Sequence, residues 1–228
     1  MNKVPVITID GLSGAGKGTI SKMLCNELGW NILDSGALYR TLTFLIEKKG
    51  IGINDFSKNK DDLFKDFEVT FQIGTEGEPV SIFLKGKDIT SLVRTEKIAE
   101  KTSAFSSLKE IRDFIRPCQI EFKKSPGLIA DGRDMGTVIF PEANLKVFLT
   151  ATLEERAKRR EIQLKRQGTK VNMRTLLEEL EARDKKDIER ELSPLKPAKV
   201  SFVIDTTGLS PERVLKEIRD LLKGTLGK

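Results

Sequence analysis

The chain has no histidine among its 228 residues. Histidine is the usual acid–base side chain near neutral pH and a frequent zinc ligand. Its absence excludes histidine-based acid–base catalysis and most zinc-site architectures. Phosphoryl transfer stays open, because that reaction depends on positioning and on charge neutralisation.

Cysteine and long apolar runs are also scarce. Cys25 and Cys118 lie far apart in predicted helices, so we predict two buried free thiols and a reducing, cytoplasmic location. No apolar run approaches the ~20 residues that span a bilayer, and no signal-peptide core precedes the first strand. With 38% hydrophobic residues and a mean hydropathy of −0.29, the composition predicts a soluble protein without a membrane partner.

Positive charge is in excess and is concentrated in one segment. The net charge is +6 and the pI is near 9.2. Between Arg156 and Lys170 there are seven basic residues and one acid, Glu161, an excess that equals the net charge of the whole chain. Nucleic acid is one possible partner for such a segment. A local cluster suits a small polyanion better than a long duplex, and we expect no nucleic-acid partner.

A glycine-rich loop follows the first apolar run of the sequence. It reads Gly11-Leu-Ser-Gly-Ala-Gly-Lys-Gly-Thr19, and a helix-compatible stretch to Leu28 comes next. This is the layout of a P-loop, in which backbone N–H groups and the helix N-terminus hold phosphates and Lys17 reaches the β- and γ-phosphates. The alternative is a flexible turn. The predicted ligand is a nucleoside triphosphate with Mg²⁺. Thr19 is the candidate metal ligand; the usual pattern has Ser or Thr directly after the lysine, whereas Gly18 intervenes here.

Short apolar runs alternate with helical stretches along the rest of the chain. Such runs are typical of strands buried on both faces, and their alternation with helices predicts a parallel sheet covered on both sides. Helix signals are the capping box Thr152–Glu155 with a stop near Gly168, Asn172 as the cap of a helix to about Glu191, and the Ser210-Pro211-Glu212 start. The predicted strands are Val4–Asp10, Asn31–Asp34, Gly127–Asp131, Leu145–Thr150 and Val200–Asp205.

One region departs from this alternation of strands and helices. Glu68–Ile73 and Val80–Leu84 alternate like half-exposed strands, and the Gly74–Pro79 loop joins them. This pattern predicts an antiparallel hairpin inserted between the second and third core strands, where it shapes an acceptor pocket; a decorative loop is the alternative.

Polar residues follow the second and third predicted strands. Ligands bind beyond the carboxyl ends of the strands in open α/β sheets. Asp131 is placed to hold Mg²⁺ or its waters, unless Asp131–Asp134 is a surface turn with an internal ion pair. Asp34-Ser35-Gly36, with Tyr39 and Arg40 after it, is either part of a site or a simple helix cap.

Two helices carry notable charges. Leu176, Leu180, Arg183, Asp187 and Arg190 form one stripe that begins apolar, as if docked on the core, and ends charged as if it faced a cleft. An ordinary pair between Arg183 and Asp187 is the competing interpretation.

Three arginines of the preceding helix share a face. They are predicted to close over the triphosphate as a lid, unless they form a solvated basic face. They are Arg156, Arg159 and Arg160.

The acceptor follows from the remaining arginines. A phosphate monoester is already a dianion at neutral pH, so it needs cations and no base. Four arginines on separate segments supply those cations: Arg40, Arg133, Arg183 and Arg190.

Three motifs together resemble the bacterial cytidylate kinase family, over essentially the whole chain. They are the glycine loop, Leu33-Asp-Ser-Gly-Ala-Leu-Tyr-Arg40, and Gly127-Leu-Ile-Ala-Asp-Gly-Arg-Asp-Met-Gly-Thr-Val138. The glycine loop is shared by many nucleoside monophosphate kinases, whereas the other two motifs are much more specific. Leu12 departs from the proline that the family often has, and Pro117 should bend the helix that carries Arg112.

The resemblance implies transfer of the ATP γ-phosphoryl group to CMP or dCMP, with Mg²⁺. It implies that Ser103, Arg112 and Asp134 contact cytosine, with Ser35 lining that pocket. It implies that Asp187 holds the sugar, with Arg183 nearby, and that Arg40, Arg133 and Arg190 clamp the acceptor phosphate. The alternatives are a kinase for another monophosphate such as UMP or dTMP, and a P-loop protein that binds nucleic acid.

These observations give one overall prediction. We expect a monomeric P-loop kinase domain over 1–228: an α/β three-layer fold with a five-stranded parallel sheet, a small antiparallel β insertion and a short helical lid. The core would comprise 1–34, 125–155 and 198–228, the monophosphate-binding segment 35–124, and the lid with its following helix 156–192.

The expected site residues fall into four groups. The catalytic group is Lys17, Arg133, Arg159, Arg183 and Arg190. The ATP-binding group is Gly11, Leu12, Ser13, Gly14, Ala15, Gly16, Lys17, Gly18, Thr19, Arg156, Arg159 and Arg160. The CMP-binding group is Ser35, Tyr39, Arg40, Ser103, Arg112, Arg133, Asp134, Arg183, Asp187 and Arg190. The metal group is Thr19 and Asp131, through water.

Overall fold

Five short apolar strands form a parallel sheet in the order β2-β6-β1-β7-β8. The structure is a computed structural model that describes residues 4–74, 79–166, 168 and 170–226. The predicted five-stranded sheet is confirmed, with ends that differ by up to two residues. Its strands are β1 (Val6–Gly11), β2 (Asn31–Asp34), β6 (Leu128–Asp131), β7 (Leu145–Thr150) and β8 (Phe202–Asp205).

Nine α-helices surround the sheets in the described part of the chain. The helix signals of the sequence are confirmed at Thr152, Asn172 and Pro211, while the first helix begins two residues earlier than expected, at Lys17. The helices are α1 (Lys17–Leu28), α2 (Ser35–Lys48), α3 (Lys60–Asp66), α4 (Thr90–Val93), α5 (Glu96–Phe105), α6 (Lys109–Glu121), α7 (Leu153–Arg166), α8 (Met173–Glu189) and α9 (Pro211–Leu226); short 3-10 turns at Ile53–Asp55 and Ser57–Asn59 and a π-helical turn at Met135–Ile139 complete the set.

The strand side chains alternate between two apolar layers. Val6 and Leu33 point into the layer that packs on α2 and α6. Ile7 and Ile9 point into the opposite layer, which packs on α1 and α9. Because both faces of the sheet are buried, the fold has a three-layer α/β arrangement. Because the strands are parallel, their carboxyl ends lie at the same edge of the sheet.

The inserted hairpin is present and gains a third strand. β3 (Val69–Gln72) pairs antiparallel with β4 (Ser81–Leu84), and β4 pairs with β5 (Lys87–Asp88). β5 was not expected from the sequence. The predicted connection at 75–78 lies outside the described residues. Ile82, Ile89 and Val93 bury this small sheet against Ala37 of α2.

α7 and α8 pack against each other. Ala157 and Leu164 of α7 meet Leu176 and Leu180 of α8 in a separate apolar cluster. The expectation that the apolar part of α8 docks on the main core is therefore wrong, because these leucines are buried by the neighbouring helix. Within the described ranges, no helix is long and apolar enough to cross a membrane.

Candidate active site

The glycine loop lies at the carboxyl end of β1, between β7 and α7. Gly11 approaches β7 so closely that an added Cβ would lie 2.0 Å from the Leu149 carbonyl oxygen, and its φ is +143°. Leu12 N–H donates to the same carbonyl at 3.3 Å. Glycine is required at this point because any side chain would push the loop off the sheet.

Lys17 is the first residue of α1 and is almost fully buried. Its Nζ donates to the Leu12 carbonyl at 2.9 Å, within its own loop. Burial and the nearby Arg133 lower the pKa of Lys17, while Asp131 acts in the opposite direction. Burial likewise raises the pKa of Asp131, against the pull of Lys17. The loop therefore holds a buried lysine whose positive charge is disfavoured by burial and favoured by Asp131.

The segment after β6 carries two ion pairs, one partly buried and one largely buried. Arg133 Nε donates to Asp187 Oδ2 at 3.0 Å, which joins this segment to α8. Asp134, only 3% exposed, accepts from Arg112 of α6. The interpretation of Asp131–Asp134 as a surface turn with an internal ion pair is wrong, because both pairs reach other elements.

The end of α8 differs from the sequence expectation. The helix stops at Glu189, not near Glu191, and Arg190 has an extended backbone. Arg190 Nε donates to the Ser193 carbonyl at 2.6 Å, and its Nη1 lies 3.4 Å from Asp187 Oδ1. Asp187 thus joins Arg133 and Arg190. The proposed ordinary pair with Arg183 is absent from the ion pairs of the described residues.

Two cavities adjoin these pairs. One of about 430 Å³ is lined by Ser103, Asp187 and Arg190 among others. The other, of about 140 Å³, is lined by Tyr39, Arg112 and Asp134 among others. The Arg112 guanidinium carbon lies 5.8 Å from the centre of the Tyr39 ring, within cation–π range. Arg112 and Asp134, both implied for cytosine, therefore line one cavity. Ser103, implied for the same base, lines the other cavity together with Asp187, which is implied for the sugar.

The start of α2 is held by buried hydrogen bonds. Asp34 caps the helix by accepting from Ala37 N–H at 2.9 Å, as the simpler interpretation of that motif predicted. Ser35 accepts from Gln119 Nε2 at 2.9 Å. Arg40 Nη1 donates to the Val93 carbonyl at 3.3 Å. These bonds fix Ser35 against α6 and Arg40 against the end of α4.

The three α7 arginines have separate environments, so the interpretation as a solvated basic face does not hold for Arg156. Arg156 is 4% exposed, and its guanidinium donates to Ser13 carbonyl at 3.2 Å and to Asp184 of α8 at 2.5 Å. Arg156 therefore links the glycine loop to the packed helices α7 and α8.

Arg159 and Arg160 reach two other elements. Arg159 donates to the Thr206 hydroxyl at 2.9 Å and to the Thr206 carbonyl at 2.6 Å. The Thr206 hydroxyl lies 3.1 Å from the Ala15 carbonyl oxygen and equally far from that of Thr150, which are alternative acceptors for its single proton. Arg160 forms an ion pair with Glu96 of α5, a helix of the predicted monophosphate-binding segment. α7 therefore connects the glycine loop, β8 and α5.

Several arginine side chains of this site affect one another's pKa values. Burial and Arg183 lower the pKa of Arg40 to about 10. Burial and Arg133 lower the pKa of Arg183. Arg133 differs, since Asp187 and Asp131 outweigh its burial and raise its pKa. Converging cations with lowered pKa values favour the binding of a polyanion.

The carboxylates suit a metal held mainly by a ligand's phosphates. The described residues contain no cluster of three or more metal-binding side chains. Mg²⁺ commonly takes one or two carboxylates plus substrate phosphates. Asp131 fits that pattern, since it lies beside Gly18, with Oδ2 3.6 Å from where a Cβ on that glycine would be. Thr19 is exposed in the first turn of α1.

Sequence reasoning missed several residues that shape this site. Asp10, Arg94, Gln119, Asp184 and Thr206 all contact predicted site residues or their loops. Of these residues, only Asp10 could have been identified from its place in the sequence, because it directly precedes the glycine loop. The others come from distant parts of the chain, and their contacts depend on the packing of whole elements.

Comparison with known proteins gives one consistent family. The family model described as cytidylate kinase matches residues 7–224. A cytidylate kinase of Pseudomonas entomophila is 47% identical over 97% of this chain and 96% of its own length. A cytidylate kinase of Pseudomonas putida is 48% identical over 94% of both chains. A solved structure of a protein from Eubacterium ventriosum has a TM-score of 0.51 at 14% identity, over 97% of this chain and 99% of that one, which shows a shared fold only.

Proposed function

The chain belongs to the cytidylate kinase family, and on that premise we propose how its residues transfer the γ-phosphoryl group of ATP to CMP or dCMP. The products are ADP with CDP or dCDP. The observation that carries the acceptor assignment is the buried pair of Arg112 and Asp134 beside Tyr39.

The buried pair matches the hydrogen-bonding pattern of cytosine. Ionised Asp134 only accepts, and Arg112 only donates. Arg112 donates to Oδ2 of Asp134 and, through Nη1, to the Ser106 carbonyl at 2.8 Å. We assign Oδ1 of Asp134 to the exocyclic amine of the base, and the Arg112 N–H groups outside these two bonds to the ring nitrogen and carbonyl. Uracil has a carbonyl where cytosine has the amine, so Asp134 would meet a second acceptor.

The sugar and phosphate of the acceptor extend from this base pocket toward α8. Asp187 lines the larger cavity with Ser103 and is assigned to the sugar. Arg40, Arg133 and Arg190 are assigned to the phosphate, with Arg183 nearby. A phosphate dianion needs no base, so these residues act by neutralising charge and by aligning the attacking oxygen.

The triphosphate is assigned to the glycine loop, from Gly11 to Thr19. Lys17 and the α7 arginines neutralise charge that develops on the transferred group. Arg156 acts on the triphosphate through its bond to Ser13. Asp131 and Thr19 would hold Mg²⁺ through water, and the ion would supply charge neutralisation between the β- and γ-phosphates.

We further propose that one chain carries the whole reaction. Every assigned residue lies on the chain itself. The proposed division follows the sequence: a core of 1–34, 125–155 and 198–228, an acceptor segment of 35–124, and a lid with its following helix at 156–192.

Acceptor selectivity tests this proposal. Purified enzyme with ATP and Mg²⁺ is assayed against CMP, dCMP, UMP and dTMP. CMP and dCMP should exceed UMP in kcat/KM by at least about tenfold, because UMP leaves a buried charged acceptor unpaired. Asp134→Ala should lower activity and shrink the CMP-to-UMP ratio.

A matched control is Asp62→Ala, which removes an exposed aspartate paired with Lys65. It should keep the wild-type ratio. Equal use of UMP and CMP by the wild-type enzyme, or an unchanged ratio in Asp134→Ala, would show that Asp134 does not select the base.

A further inference from the structure

Asp10 is a buried carboxylate that the reaction described above does not use. It occupies the last position but one of β1, directly before Gly11 of the phosphate loop. It is 4% exposed. Burial raises the pKa of Asp10 to about 6, although the two backbone bonds it accepts act in the opposite direction. A buried charge at this point requires specific partners.

Those partners are the first two amides of the π-helical turn. Met135 N–H donates to Oδ1 at 2.9 Å, and Gly136 N–H donates to Oδ2 at 2.8 Å. Both residues directly follow Arg133 and Asp134. One carboxylate of the donor-side strand therefore fixes the backbone that presents the two proposed acceptor contacts.

The fit leaves little room for movement. A Cβ added to Gly136 would lie 2.8 Å from Thr8 Oγ1 and 3.3 Å from Asp10 Oδ2. The turn can approach β1 this closely only because residue 136 has no side chain. The contact is thus specified from both sides, by a carboxylate on the strand and by a glycine on the turn.

We propose that Asp10 is a positioning residue for acceptor recognition. It holds Met135 and Gly136 so that Arg133 and Asp134 are already in place before the acceptor binds. This inference rests on the proposed function, because it takes Asp134 as the base-reading group and Arg133 as a phosphate contact. Preorganised contacts bind at lower entropic cost, and small displacements of such groups are expensive in rate.

Asp10→Asn is the direct test. The amide retains one acceptor oxygen but turns its NH₂ group toward a backbone N–H, so one bond becomes a donor–donor contact. We expect kcat/KM for CMP to fall by about tenfold or more and the CMP-to-UMP ratio to shrink, with a smaller change in the KM for ATP. Gly136→Ala, which disturbs the same contact from the turn, should give the same pattern.

The matched control is Asp205→Asn. Asp205 is also a strand-end aspartate that accepts a backbone N–H, from Thr207 at 2.9 Å, but it is exposed and lies in β8. It should keep the wild-type CMP-to-UMP ratio. If folded Asp10→Asn keeps that ratio and its KM for CMP, the carboxylate is a structural anchor and the proposal is wrong. A wild-type enzyme without preference for CMP counts against the proposed function instead.

Hydrogen exchange of the wild-type amides decides the matter even where a variant does not fold. If Asp10 preorganises the turn, the amides of Met135 and Gly136 are strongly protected without ligand, and CMP changes their exchange little. Rapid exchange without ligand that CMP slows tenfold or more would show that the acceptor orders this segment, and would overturn the proposal.

Discussion

At the scale of single residues, Lys17 shows how the glycine loop accommodates a buried positive charge. Its Nζ is bonded to the Leu12 carbonyl of the same loop. Burial lowers its pKa, and Arg133 adds to that effect. The lysine has no anionic partner among its hydrogen bonds, so its removal should disturb the chemistry far more than the fold.

Lys17→Ala should therefore abolish most turnover and leave the protein folded. Loss of an electrostatic stabiliser of the transition state typically costs about 10²-fold or more in kcat. Steady-state kinetics and a thermal melt of the purified variant check both halves of this prediction. Lys158→Ala, which removes an exposed lysine of α7, serves as control and should behave as wild type. Near-normal turnover by Lys17→Ala would exclude the glycine loop as the donor site.

Residue chemistry was predictable where one side chain has one role, and less so where it has several. The glycine loop, Asp131 and the four arginines predicted to bind the acceptor had clear signals in type and position, and their roles stay predictions. The sequence indicated the same role for the three arginines of α7, yet their surroundings differ. Arg156 is buried against Ser13 and Asp184. Arg159 reaches Thr206, and Arg160 reaches Glu96. Helical spacing gives the face of a residue but not the element that covers it.

At the scale of elements, the two halves of α8 have different structural roles. Its first half docks on α7 through Leu176 and Leu180, and its second half carries Asp187, which pairs with Arg133 and Arg190. Asn172 begins the helix by accepting from Arg174 N–H at 3.0 Å and from Thr175 N–H at 3.3 Å. These bonds satisfy amides that the first helical turn leaves unpaired.

Asn172→Ala should reduce stability without changing the chemistry. Loss of an N-cap side chain costs about 1 kcal/mol, which lowers the Tm of a chain this size by roughly 2–4 °C. A thermal melt and the KM for CMP are the measurements. Asn59→Ala is a matched control, because Asn59 begins α3 without a side-chain capping bond, and it should cost less. An unchanged Tm for Asn172→Ala would show that the α7–α8 packing alone holds this end of the helix.

Most elements followed from sequence, and the exceptions have physical causes. The five core strands are continuous apolar runs between helix signals, which makes them easy to recognise. β5 has only two residues, both exposed, so it lacks any apolar pattern and exists because β4 offers an edge. α8 ends before Arg190 because the chain turns there to pair Leu195 N–H with the Asp187 carbonyl at 2.8 Å. Such tertiary bonds leave no local signature.

At the scale of the whole molecule, the net charge stays at +6, but the positive charge of the segment 156–170 is partly paired with acidic side chains. Arg156 is buried with Asp184, Arg159 pairs with Glu155, and Lys165 pairs with Glu161. Much of the basic segment is thus neutralised within the protein. Its remaining cations are spread over a short helix, where they offer no long track for a phosphate backbone.

Binding to DNA should accordingly be weak. We expect micromolar or poorer affinity at physiological salt, as for non-specific electrostatic contact, for duplex and single strands alike. A fluorescence-anisotropy titration at two salt concentrations measures this, with free ATP as competitor. Nanomolar, sequence-selective binding that is lost when Arg159 and Arg160 are neutralised would contradict the assignment of this segment to the triphosphate.

The bond between Thr206 and the glycine loop has a consequence for how the protein is made. Its two ends, Thr206 and Ala15, are 191 residues apart. A ribosome adds about 5–20 residues per second, so the loop emerges roughly 10–40 s before its last support exists. During that interval the nascent chain carries the motif for a nucleotide but not the strand that braces it. The glycine loop is therefore translated long before its surroundings are complete, and a ribosome stalled before β8 would display this loop without Thr206.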